Sequence, residues 1–164
     1  MSTRFTRRTF VASSLVAPLL LSRCGGQTDD AQPPEINYGR DTCVRCGMII
    51  SDERYAAALV APDGSVRLFD DAGELLLSVA EEATEGQRAW VHDRVGTQWI
   101  DAATASYTRG APETTPMGTG YVAFAKREDA VAYAATPDGE GQVWTWQEVL
   151  AQQADNDGRS SDGG

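Results

Sequence analysis

At 164 residues, with 41% hydrophobic and 23% charged content, the chain can build one domain with its own core and needs no disulfide framework. Its formal charge of −10 and single lysine, Lys126, exclude nucleic acid as a partner, because phosphate contacts demand Lys and Arg. Setting aside Arg4, Arg7, Arg8 and Arg23 of the first segment leaves 10 basic residues against 24 acidic ones, a charge of −14, which resembles the surface of salt-adapted or acidic extracytoplasmic proteins.

Residues 1–24 read as an export signal. Thr6-Arg7-Arg8-Thr9-Phe10-Val11 fits the twin-arginine pattern, and the apolar run Val11 to Leu21 has the length of a signal core, too short to span a bilayer as a mature helix. Leu21-Ser22-Arg23-Cys24 resembles a lipobox with Cys24 as the lipidated first mature residue, although Arg23 stands where a small residue is expected. Residues 25–37 are rich in Gly, Gln, Asp and Pro and form a tether.

The expected domain covers residues 38–151. Arg54–Val60 and Ser65–Phe69 flank Pro62-Asp63-Gly64, which predicts a hairpin. Asp71 and Glu74 have capping-box spacing, and Ala72, Leu75, Leu76 and Val79 follow at helical period. Arg88–His92 and Thr97–Asp101 are the next strands. A second unit repeats the theme, with a strand over 120–125, a helix over 126–135 facing inward at Ala130, Tyr133 and Ala134, and a strand over 142–146. An offset of 55 lays Phe69 over Phe124 and Leu75-Leu76 over Ala130-Val131. The expected fold is α+β, two consecutive small ββαβ units (about 43–103 and 114–150) forming a degenerate internal repeat. Residues 152–164 are expected to form a disordered tail.

The chemistry concentrates in Cys43-Val44-Arg45-Cys46-Gly47-Met48. A Cys-x-x-Cys pair alone fits zinc knuckles, thioredoxin-type redox sites, copper sites or a disulfide that ties down a loop. Zinc prefers four donors, so here it would need both cysteines, His92 and a carboxylate. A thioredoxin-type site needs a helix opening at the motif, whereas Met48-Ile49-Ile50 looks extended. Across an extended Cys46-Gly47-Met48, side chains two apart share a side, which lets a thiolate and a thioether meet one ion. Met117 stands in the loop Thr115-Pro116-Met117-Gly118-Thr119-Gly120 and is the next thioether candidate. Soft sulfur donors of both kinds suit copper(I). A lone His92 is more often structural than a ligand, and no nucleophile–base pair points to an enzyme.

With these pieces in place the chain resembles the NosL family of copper-binding accessory proteins of nitrous oxide reductase. The resemblance rests on the signal with Cys24, Cys43-x-x-Cys46-Gly47-Met48, Trp99-Ile100-Asp101-Ala102, Pro116-Met117-Gly118 and the unit from Phe124 to Glu148. It implies two ββαβ units and copper(I) ligation by Cys46, Met48 and Met117, with Cys43 matching the motif. It also implies delivery toward apo nitrous oxide reductase with an ABC transporter complex; the export signal and Cys24 place the protein, lipid-anchored, at the outer face of the cytoplasmic membrane or another extracytoplasmic membrane surface. Two alternatives stand beside it, an exported thiol–disulfide oxidoreductase using Cys43 and Cys46 and a general copper-sequestering lipoprotein.

Overall fold

Residues 32–110 and 115–161 are described by the structure, a computed structural model; the export signal, Cys24 and the start of the tether lie outside the described residues. Ala57–Val60 (β1) and Val66–Phe69 (β2) form the expected hairpin, with Ala57 opposite Phe69 and Val60 opposite Val66. Alanines are poor strand formers, yet small side chains are what this position admits. Ala57 and Ala58 point to opposite faces of the sheet and both are fully buried.

Asp71, two residues past the strand, opens α1 (Ala72–Glu81): its backbone is extended and its carboxylate accepts the Gly73 N–H at 2.7 Å. Ala72, Leu75, Leu76 and Val79 all face the core, as the helical period requires. Glu74 does not complete the expected capping box; its carboxylate is turned toward the Cys43 thiol. Arg88–His92 (β3) and Trp99–Asp101 (β4) complete an antiparallel sheet in the order β2-β1-β3-β4.

The second half departs further from expectation. Ser106–Arg109 (β5), which the sequence does not announce, pairs antiparallel with Tyr121–Phe124 (β6). Its polar composition conceals two fully buried side chains, Tyr107 and Thr108, whose hydroxyls donate to the carbonyls of Ala102 and Gln142, each at 2.7 Å. Arg127–Ala134 (α2) lies on β5 and β6 with Ala130 and Ala134 buried, while Val131, which the offset lays over buried Leu76, is half-exposed.

The strand expected over 142–146 shrinks to one bridge, Trp144 against Tyr107. Thr145 and Glu148 are the reason. The Thr145 N–H donates to Glu148 Oε2 at 2.7 Å and the Glu148 N–H returns to Thr145 Oγ1 at 3.4 Å, a reciprocal cap that starts Trp146–Ser161 (α3). This helix packs on α1 with Val149 and Gln153 buried, so it occupies much of the stretch expected to be a disordered tail.

A parallel bridge between Asp93 and Ala123, with Arg94 N–H on the Ala123 carbonyl at 2.8 Å, joins the two sheets. One core spans both halves, including Phe69, Leu75 and Val91 from the first and Tyr107, Tyr121 and Val149 from the second. The fold is α+β. Among the described residues no helix is long and apolar enough to cross a membrane.

Candidate metal site

The Cys-x-x-Cys segment is a loop folded back on itself and pinned at both ends. Cys43 N–H donates to the Met48 carbonyl at 2.8 Å, Ile50 N–H to the Asp41 carbonyl at 2.9 Å, and Thr42 bridges Ile49. Gly47 turns the chain at φ +75°, a left-handed conformation that only glycine adopts without strain. Cys46-Gly47-Met48 is therefore a turn, not the extended segment expected. Cys46 packs against the core, and Met48 is half-exposed. Val44 N–H donates to the Leu68 carbonyl at 2.9 Å, which seats the loop on β2. Arg45 makes two 2.7 Å bonds to Glu81 at the far end of α1.

This seating brings four side chains together: Cys43, Cys46, Asp70 and Glu74 offer donor atoms that all lie within 4.8 Å of one another. Cys43, Asp70 and Glu74 are buried, and both cysteines are free thiols. The Cys43 thiol donates to Glu74 Oε2 at 2.8 Å, and the Cys46 thiol to Asp70 Oδ1 at 3.5 Å. Burial pushes the Cys43 thiol up to about 12 and raises Cys46 as well. Burial is also the main cause that raises Glu74, with the neighbouring Asp70 carboxyl adding to it. Both thiols thus hold their protons, and an entering metal must displace them.

Of the residues marked by the sequence, Cys43 and Cys46 are brought together. Met48 adjoins them through its backbone and stands at the rim. Met117 comes from the other half, and its loop reaches the same helix end: Met117 N–H donates to Asp71 Oδ2 at 3.0 Å, next in the chain to Asp70. Asp70 and Glu74 are the site residues that sequence reasoning missed. The run Phe69-Asp70-Asp71 after a strand carried the signal, but nothing in it announces that Asp70 and Glu74 are buried against thiols 24 and 31 positions away.

His92 stands apart from the site. Its Nδ1 meets the Thr97 carbonyl at 2.5 Å, its Nε2 meets the Tyr38 hydroxyl at 3.0 Å, and its ring lies 3.8 Å from that of Trp99. The Thr97 carbonyl can only accept, so Nδ1 carries the proton and Nε2 accepts from Tyr38. Burial lowers the pKa of His92 below its ordinary 6.5. The unfolded chain therefore binds the proton first, and the contribution of neutral His92 is full above pH 6.5 and lost as pH falls through the depressed folded value. Urea unfolding of the wild type should show this decline below pH 6.5. His92→Phe, which keeps a ring on Trp99, should flatten it although its absolute stability is lower. Equal slopes in the two proteins would contradict the assignment.

The model of the NosL family matches residues 35–154 of the chain. Among solved structures, the crystal structure of the copper chaperone NosL from Shewanella denitrificans has a TM-score of 0.60 at 21% identity, covering 71% of this chain and 94% of that one. A likeness of that degree shows a shared fold. No curated protein matches the chain.

Proposed function

The chain belongs to the NosL family, and from that premise we propose that it is a metallochaperone that binds copper(I) through sulfur and passes it on by ligand exchange. The observation that carries this is the cluster itself, in which Cys43 and Cys46 are free thiols converging with Asp70 and Glu74. Thiolates select copper(I) over harder ions. Met48 at the rim and Met117 on the adjoining loop supply further soft donors, and the carboxylates draw a cation toward the pair. A sulfur site of low coordination number leaves the ion open to an acceptor's ligands, so the protein need not turn anything over. On this reading the acceptor is apo nitrous oxide reductase, served together with an ABC transporter complex, and the protein is exported and anchored at the membrane surface through Cys24, in line with its twin-arginine and lipobox-like segment. The copper chaperone NosL with the same fold supports copper as the cargo.

A second reading has one observation behind it. Two cysteines with two carboxylates are also a set that zinc accepts. A thiol–disulfide oxidoreductase has less support, since a reactive cysteine needs a lowered pKa and some exposure, while Cys43 is 2% exposed and pushed up to about 12. The test is an anaerobic copper(I) titration against a chromophoric chelator, repeated with excess zinc. One copper(I) bound per chain and held against zinc supports the proposal. Displacement of copper(I) by the excess zinc, or no copper(I) binding above that of the protein lacking both thiols, would overturn it.

A further inference from the structure

Asp71 does more than cap a helix, and its second task concerns the copper site. Its side chain is fully buried. One carboxylate oxygen, Oδ1, accepts the Gly73 N–H at 2.7 Å and the Thr119 hydroxyl at 2.5 Å. The other, Oδ2, accepts the Met117 N–H at 3.0 Å. A helix N-cap needs one acceptor; here the carboxylate also holds a loop 46 residues away in sequence. The two surfaces are pressed together, because a Cβ added at Gly73 would collide with the Thr119 side chain. Asp71 is also flanked by the site, with Asp70 before it and Glu74 in the first turn of the helix it caps.

We infer that Asp71 is a positioning residue that holds the Met117 loop against the thiol pair, so that the thioether of Met117 joins copper(I) only while the Asp71–Met117 bond is made. The inference rests on the proposed copper(I) function and deepens it, because it makes the site a joint product of both halves of the fold. The thiols and carboxylates come from the first half. The thioether comes from a loop of the second half that has no strand pairing at Met117 to place it. A methionine side chain is flexible, so its backbone must be fixed before its sulfur can bind reproducibly.

Asp71→Asn separates the two tasks. Asparagine caps a helix as well as aspartate does, and with Oδ1 kept on Gly73 and Thr119 it presents an amide N–H₂ to the Met117 N–H, donor against donor. The helix keeps its start and the Met117 N–H loses its acceptor. The experiment is a double-mutant cycle of copper(I) affinity by chelator competition on the wild type, Asp71→Asn, Met117→Ala and the double variant, with Cys43→Ser/Cys46→Ser as the thiol-free reference. Thermal unfolding is followed in each. Asp71→Asn should weaken copper(I) roughly tenfold or more, as loss of a ligand's support does, and should add nothing in the Met117→Ala background. A purely structural role would weaken binding equally in both backgrounds, and that additivity would overturn the inference. If Asp71→Asn does not fold, Asp71→Ser, whose single hydroxyl oxygen can cap Gly73 and leaves no second oxygen for the Met117 N–H, carries the same cycle with the same two outcomes. Failure of the function itself looks different, since the wild type would then bind no more copper(I) than the thiol-free reference.

Discussion

Cys46→Ser and Cys43→Ser should each lower copper(I) affinity by more than about 100-fold, because even residues that merely support a ligand cost roughly 10–100-fold when removed. Serine keeps the shape and the capacity to donate to Glu74 or Asp70, but it replaces a soft donor by a hard one that copper(I) binds poorly. The carboxylates cannot compensate, for the same reason. Cys43 is the more instructive of the two, since the motif alone leaves it open between ligand, disulfide partner and structural residue. Its position in the cluster as a free buried thiol is the ground for expecting it to act as a ligand. Chelator competition, with the fold checked by circular dichroism, measures both variants. An affinity for Cys43→Ser within about threefold of the wild type would remove Cys43 from the site.

Phe69→Ala should damage the fold severely, at about 3–5 kcal/mol, the usual cost of emptying a buried aromatic position. Set against a total stability of about 5–15 kcal/mol for a natural domain, such a loss brings the protein close to unfolding. Phe69 is fully buried at the end of β2, opposite Ala57, and it immediately precedes Asp70 and Asp71. Val66→Ala, at the exposed start of the same strand, is the control and should change stability by no more than about 0.5 kcal/mol. Urea midpoints with unchanged slopes report the difference. A loss below about 1 kcal/mol for Phe69→Ala would mean that its ring is not part of the shared core.

The first half of the fold was legible because its signals are local. Asp71 followed by a stripe at Ala72, Leu75, Leu76 and Val79 can hardly be anything but a capped amphipathic helix, and Arg88–His92 forms the strand its residues favour. The second half misleads for physical reasons. Val143, Trp144 and Trp146 have strand propensity, but the reciprocal cap of Thr145 and Glu148 outweighs it and starts a helix at Trp146. Ser106–Arg109 looks like a loop because its burial depends on partners found only in the folded state, the Ala102 and Gln142 carbonyls.

The site divides in the same way. Cys43 and Cys46 announce themselves by spacing, whereas Asp70 and Glu74 look like ordinary acids around a helix start. Their burial against thiols is a tertiary fact. Met48 was expected beside Cys46 on one side of an extended segment, and the left-handed turn at Gly47 places it at the rim instead. For Met117 the spacing said only that a thioether sits on a glycine-rich loop. The Asp71 carboxylate says where that loop is held.

The central claim is that this fold holds copper(I) by sulfur drawn from its two halves. X-ray absorption on the copper(I)-loaded protein tests it most directly, because it counts the neighbours of the metal. A first shell of sulfur alone, about three atoms in the wild type and one fewer in Met117→Ala, is the expected result. A shell made up mainly of oxygen or nitrogen, from Asp70, Glu74 or His92, would contradict it.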